Sequence, residues 1–313
     1  MELPVAVAIV ALSGILALVA PGYFAAGNLR DLFLANAPIL IVALGATVVI
    51  LTGQIDISSG SAFAICSVAA GVLAKTVLPV PVAALGACVV GVGLGALNGA
   101  LVAYLRIPSI IATLAAMVVL RDALRWSTEG AWIQDLPAAF QWFGFKQSGY
   151  PVFAFAVAGI LVVAVAMAMR HLTAGRWVYA TGSNSESARL AGIDTSLVTF
   201  ASFAAAGAFT GLAAALNAVR FNQIPPNTGV GLELQVIAAV VVGGTAITGG
   251  RGTIVGTVLG VILLGAIGPA LTFLGVSAYW ERAIQGAIIL AAVAVEAVRT
   301  GLERNERTLA NQA

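Results

Sequence analysis

Charged side chains are scarce in this sequence, and their scarcity excludes a water-soluble fold. Only 9% of the 313 residues are Asp, Glu, Lys or Arg, whereas a soluble domain carries about 25%. Hydrophobic residues make up 60%, and the mean hydropathy is +1.03. No soluble domain could bury so much apolar surface, so the composition indicates an integral membrane protein.

Polar and apolar residues do not alternate along the apolar stretches, which excludes a transmembrane β-barrel. Continuous apolar runs predict instead an all-α, polytopic transmembrane bundle forming a single domain over 1–313. We predict about ten spans, of which the second and eighth are short. The predicted spans are 3–20, 37–52, 61–78, 81–104, 109–125, 151–170, 196–219, 233–248, 253–273 and 280–298.

Residues that carry chemistry are also few. The single histidine, His171, lies at a span boundary, and Cys66 and Cys88 lie inside apolar runs, so we expect no catalytic set, metal site or cofactor. No basic stretch is interleaved with aromatics, which argues against nucleic-acid binding. The phosphate-binding pattern G-x-x-x-x-G-K-[ST] is missing, so any ATP hydrolysis must come from a partner protein.

Acidic residues are rare within the predicted spans, and most flank the span ends. Ion-coupled transporters normally need ionisable groups near the bilayer midplane. The pattern therefore argues against a stand-alone secondary transporter. That class stays open as the alternative, because unwound backbone can bind sodium without a carboxylate.

Positive charge predicts the orientation. The polar loop 171–195 and the tail 299–313 both carry arginines and therefore belong in the cytoplasm. Ten spans place the N-terminus on the same side, so both termini are predicted to be cytoplasmic in a multi-pass protein of the inner membrane.

Two glycine-rich stretches, 53–60 and 243–250, follow the two short spans and suggest a weak internal repeat. Such interruptions at matching positions mark the substrate path in many transporters. Ordinary tight turns between helices would give the same pattern.

The loop 171–195 contains a predicted short helix. Ser183 and Glu186 have the spacing of a capping box, and Gly192 is placed to end the helix in a left-handed conformation. We expect an exposed helix of about two turns that docks in a partner's groove. A plain interfacial loop is the alternative.

Four segments together resemble the permease subunits of ribose-type carbohydrate ABC importers, the group that serves ribose, rhamnose and autoinducer-2. They are 53–61 (GQIDISSGS), 97–114 (LNGALVAYLRIPSIIATL), 175–193 (GRWVYATGSNSESARLAGI) and 241–257 (VVGGTAITGGRGTIVGT). In the first segment, Gln54 stands where the family pattern often has glycine.

The resemblance implies a permease that imports a monosaccharide by alternating access, with rhamnose, a ribose-like pentose or an autoinducer-2-like sugar as candidates. It implies three kinds of partner: a cytoplasmic ATPase, a periplasmic or lipoprotein sugar-binding protein, and a second, identical or related, permease chain. The exposed helix then becomes the coupling helix that contacts the ATPase. The residues expected to make this contact are Glu186, Ala188, Arg189 and Gly192.

The remaining candidates belong to the glycine-rich breaks and to the predicted periplasmic loops. Trp132, Asn227 and Glu233 are candidates for the substrate path or for sugar handover; Trp132 and Asn227 suit ring stacking and hydroxyl hydrogen bonding. Loops that only shape a docking surface are the alternative. Residues expected to be structural at the breaks are Gly53, Asp56, Gly60, Gly243, Gly244, Gly249 and Gly250.

Overall fold

The computed structural model describes residues 2–76, 78–277, 279–281, 283–288, 290, 291 and 294. Over these ranges the fold is all-α, with one isolated bridge and no strand, as predicted. The helices are α1 (Glu2–Val19), α2 (Ala26–Leu51), α3 (Ser59–Ala74), α4 (Val80–Ala103), α5 (Ser109–Ser127), α6 (Tyr150–His171), α7 (Thr173–Ser183), α8 (Ser185–Leu190), α9 (Thr195–Ala218), α10 (Leu232–Val242) and α11 (Ile254–Phe273).

Six of the described helices, α1, α2, α4, α6, α9 and α11, are long and apolar enough to cross a membrane. The polytopic class is therefore confirmed, whereas the count of ten is not. Helices α3 and α10 are shorter apolar helices, and α5 carries charges in its second half. The tenth predicted span, 280–298, extends beyond the described residues, and the tail 299–313 lies wholly outside them.

The second predicted span, 37–52, was too short, because α2 already begins at Ala26. Polar residues at its start lowered the hydropathy there, but the structure satisfies them locally, as where the Asn36 amide donates to the Leu32 carbonyl at 2.8 Å. Pro38 lacks the N–H that would bond the Leu34 carbonyl. The Arg220 guanidinium donates to that carbonyl instead. Burial lowers the pKa of Arg220 from its ordinary value.

The eighth predicted span, 233–248, was too long. Helix α10 ends at Val242, and Gly244 adopts φ of 93°. Residues with a side chain rarely adopt this backbone conformation, whereas glycine does so without strain. The helix therefore ends where the paired glycines begin.

The helices extend between two ends of the bundle; α4 and α9 run antiparallel, whereas α1 runs parallel to α11. One end, here called the α8 end, collects α7, α8, the last residues of α2 and the start of α11, where the Thr253 hydroxyl donates to the Glu2 carboxylate. The opposite end, here called the loop end, holds the loops 128–149 and 219–231. A two-way backbone bridge between Ile133 and Ile224, with N···O distances of 3.0 and 2.9 Å, joins these loops.

Helices α4 and α9 pack backbone against backbone along a glycine seam, defined by Gly91, Gly95, Gly207 and Gly211. A Cβ on Gly91 would lie 2.2 Å from the Gly207 carbonyl oxygen, and a Cβ on Gly211 would lie 2.4 Å from that of Ala87. Small residues permit this approach in membrane helices, where van der Waals packing rather than the hydrophobic effect holds helices together.

Candidate functional site

The two glycine-rich breaks meet in space at the α8 end. A Cβ on Gly249 would lie 2.6 Å from the Gly53 nitrogen, and the Gly250 N–H donates to the Leu51 carbonyl at 2.9 Å. Both breaks therefore contribute backbone to one contact, here called the glycine junction, formed by 51–53, 248–250 and 182–183.

Helix α7 is the third member of this junction, and no sequence pattern predicted that helix. A Cβ on Gly182 would lie 1.8 Å from the Leu51 carbonyl oxygen, so no side chain fits there. The Tyr179 hydroxyl donates to the Gly252 carbonyl at 2.9 Å, on the same loop. The segment 173–183 is thus anchored to the ends of two other elements.

The short helix α8 follows directly and is exposed. The expected capping box is wrong, because Ser183 ends α7 and Asn184 caps α8, its side chain accepting from the Ser187 N–H at 2.9 Å. Asn184, one residue later, also has a short side chain with an oxygen that can accept a hydrogen bond from the first turn of the helix. Glu186 accepts instead from the Arg189 guanidinium at 2.8 Å, and both side chains are about two-thirds exposed (67% and 64%).

The end of α8 follows the prediction in its geometry. Gly192 has φ of 84°, and the Ile193 N–H reaches the Ala188 carbonyl at 3.0 Å. This is the hydrogen bond of a helix that ends in a left-handed cap. Ala188 is buried, whereas Leu190 is 80% exposed. The ATPase-contact role of these residues stays a prediction.

The remaining break residues occupy other places. Asp56 accepts from the N–H and the hydroxyl of Ser58, at 2.8 and 2.7 Å, just before α3 begins. Gly243 packs on the Gly256 carbonyl between α10 and α11, and Gly60 lies against the Glu233 carboxylate.

At the loop end, a cavity of about 380 Å³ opens between α3, the end of α9 and the two joined loops. We call it the outer cavity. Trp132 and Phe221 contribute about half-exposed rings, 49% and 48%. Its polar lining consists of Ser67, Asn217, Asn222, Gln223 and Thr228.

The three candidates for the substrate path lie at different levels. Trp132 lines the outer cavity, held there by the neighbouring Ile133–Ile224 bridge. Asn227 is exposed beside Thr228 and is not among the residues that line the cavity. Glu233 is buried deeper, in the first turn of α10, where its Oε1 accepts from the Gly231 N–H at 3.2 Å.

Buried polar atoms without a hydrogen-bond partner concentrate around α3. Four of the seven such atoms in the described ranges lie on or against this helix or its N-cap. They are Ser59 Oγ, Ser67 Oγ, Glu233 Oε2 beside Gly60, and Oδ1 of Asn98, whose Nδ2 donates to the Ser58 hydroxyl. Each buried unsatisfied group costs about 1–3 kcal/mol, so the cluster needs a physical explanation.

Sequence reasoning missed Ser67, Asn98 and Asn217. A usable signal existed, because polar side chains inside otherwise apolar spans mark substrate pathways. Among the described residues, no group of three or more His, Cys, Asp and Glu side chains could hold a metal ion.

Comparison with known proteins places this chain in a protein family. The family described as "Branched-chain amino acid transport system / permease component" matches residues 28–293. The chain belongs to this permease family. It is therefore a membrane component of a transport system, and the resemblance seen in the four segments is confirmed.

Two relatives show how far the likeness extends. This permease is 37% identical to the autoinducer 2 import system permease protein LsrC of Salmonella typhimurium, over 91% of this chain and 82% of the relative. It is 34% identical to the ribose import permease protein RbsC of Escherichia coli K12, over 95% and 94%. No solved structure matches this permease.

Proposed function

We propose that this chain is the permease subunit of an ATP-binding cassette importer that carries a neutral monosaccharide into the cell. The family and the import functions named for its relatives, for ribose and for autoinducer 2, support this assignment. In this proposal the α8 end faces the cytoplasm, together with the N-terminus, and the loop end faces the periplasm, where Trp132 and Asn227 receive sugar from a binding protein.

The observation that carries the proposal is the linkage between α8 and the glycine junction. Helix α8 offers an ion pair and the exposed Leu190 to a partner, and α7 ties it to the ends of α2 and the 243–252 loop. The contacts at Gly182 are so close that they leave no space for a side chain. A displacement of α8 by its partner is therefore transmitted to the end of α2 and to the 243–252 loop. Rigid-body movement of packed helices is the usual basis of such coupling.

ATP-driven uptake in proteoliposomes tests this function. The permease is reconstituted with its ATPase and binding protein, ATP is supplied on the ATPase side, and uptake of labelled ribose and rhamnose is measured. We expect uptake only with all components. Replacing Glu186 and Arg189 with alanine should reduce uptake at least tenfold while the assembled complex persists.

Arg170→Ala is the matched control, because it removes an exposed arginine at the end of α6, outside α8. Its uptake should stay within twofold of the wild type. Ion-driven uptake by this chain alone, without an ATPase, would overturn the proposal and establish the secondary transporter instead.

A further inference from the structure

One face of α3 connects the outer cavity with the buried Glu233 carboxylate. Gly60, Phe63, Ser67 and Gly71 lie on this face, here called the α3 face, at the i, i+3, i+7 and i+11 spacing of a helix. Gly71 packs against Ile224 near the loop end, and Ser67 lines the outer cavity. About 10 Å further along the helix, Gly60 lies against Glu233 Oε2.

We propose that the α3 face is the route of the transported sugar, with the outer cavity as its entry subsite and Glu233 as the next acceptor. The ligand would be a neutral, polyhydroxylated monosaccharide. This inference rests on the proposed function and adds the residues that carry the cargo.

The lining of the outer cavity suits such a ligand. Its volume of about 380 Å³ lies in the range of small-molecule sites, roughly 300–1,000 Å³. Trp132 and Phe221 offer ring faces to the C–H side of a sugar, and the amides offer donors and acceptors to its hydroxyls. Every residue that lines it is uncharged, which favours a neutral sugar over a sugar phosphate.

The unpaired atoms along the route give the stronger argument. Ser67 is fully buried and Glu233 is 9% exposed, yet Ser67 Oγ and Glu233 Oε2 have no partner. Hydroxyl groups of a passing sugar supply the missing donors and acceptors. A transient ligand explains why these atoms are left open, because permanent partners would have to be displaced at each cycle.

A second polar cavity, of about 370 Å³, lies between α2, α10 and α11. Its described lining lacks such buried, unpaired polar atoms. The amide of Asn28 donates to the Tyr23 carbonyl at 2.6 Å, and that of Asn36 to the Leu32 carbonyl at 2.8 Å. The amides of Asn28 and Asn36 are therefore engaged within the protein, and none of the buried unpaired polar atoms in the described ranges belongs to this cavity's lining, so we assign the route to the α3 face.

Phe63 closes the route in this structure. Its ring is 3% exposed and lies beside Gly229, between the levels of Ser67 and Gly60. Passage from the outer cavity to Glu233 therefore requires Phe63 and the 225–231 segment to separate.

Cysteine accessibility tests the entry subsite in the assembled complex. Asn222→Cys, at an exposed residue of the cavity lining, is introduced after Cys66 and Cys88 are replaced with alanine, and a small membrane-impermeant thiol reagent is added from the loop end. Ribose should slow labelling at least fivefold, whereas ribose 5-phosphate should leave the rate unchanged. Ala138→Cys, exposed on the 128–149 loop, is the control and should label equally with and without sugar.

Uptake measurements test the deeper position. Glu233→Gln keeps the side-chain shape but removes the charge, and uptake should fall at least tenfold while the complex assembles. The control is Gln235→Ala on the same helix, which lines the second cavity and should leave uptake within twofold of the wild type.

The outcomes separate this route from the proposed function. Loss of ATP-driven uptake in the wild type would contradict the function itself. Normal wild-type uptake with sugar-independent Asn222→Cys labelling, or with Gln235→Ala impaired and Glu233→Gln unaffected, would overturn the route alone.

Discussion

The glycine seam between α4 and α9 and the α3 face both lie in the interior of the bundle, but they differ in how their polar groups are satisfied. In α9, Ser202 and Thr210 donate to carbonyls one turn earlier, at 2.8 and 2.9 Å. On the α3 face, Ser67 Oγ and Glu233 Oε2 remain without a partner. The Ser202 and Thr210 hydroxyls near the seam are hydrogen-bonded within the protein and contribute to a permanent helix contact. The unpaired polar atoms of the α3 face do not contribute to the stability of this conformation.

The largest effect is expected from enlarging a residue in the seam. In Gly207→Leu the new Cβ would meet the Gly91 carbonyl oxygen at 2.1 Å, so α4 and α9 must separate. We expect a loss of about 3 kcal/mol or more in the free energy of unfolding, measured by thermal unfolding in detergent. Gly93→Leu on α4 meets open space and should be nearly neutral. Equal stability of the two variants would contradict the assignment of the seam as scaffold.

An intermediate effect is expected from Asn98→Leu, next to the N-terminus of α3. The substitution removes an amide whose Oδ1 is unpaired, and Ser58 keeps its hydrogen bond to Asp56. The free energy of unfolding should change by less than about 1 kcal/mol, because a lost hydrogen bond is offset by the removal of an unsatisfied oxygen. ATP-driven uptake should fall at least threefold. A large loss of stability with normal uptake would show that Asn98 is scaffold.

The smallest effect is expected from a pair of matched serine substitutions. Ser202→Ala removes a hydroxyl that donates only to its own helix, so stability should change by less than about 0.5 kcal/mol and uptake should be unaffected. Ser67→Ala removes a buried hydroxyl that has no partner, so it should not lower stability, but it should raise the sugar concentration for half-maximal uptake about threefold. Identical uptake curves for the two variants would remove the functional distinction between the two regions.

Most helices could be predicted from the sequence, because an apolar run long enough to cross a bilayer has few alternatives to a helix. The exceptions arise where tertiary contacts satisfy polar groups. The start of α2 was missed because its polar residues lower the hydropathy, although Arg220 and the local amide bonds support the helix there. The Gly192 cap was predictable because it depends on a single residue.

The candidate site was only partly predictable. The segment 183–192 carries its own signal in sequence, but its anchor, Gly182 against Leu51, joins residues that lie far apart in the chain. Trp132 was chosen for its residue type, whereas its position over the outer cavity depends on the Ile133–Ile224 bridge. No local pattern encodes such pairings.

Four segments indicated the permease family by resemblance, and the sequence by itself determined the class of the protein: a polytopic, helical membrane protein. Composition and local patterns suffice for this, because the bilayer restricts a long apolar chain to helices. Only the tertiary structure decided that the two breaks meet beneath α7 and that unpaired polar atoms line one face of α3. Both features arise from contacts between distant segments, and burial, which makes an unpaired oxygen costly, exists only once the helices have packed.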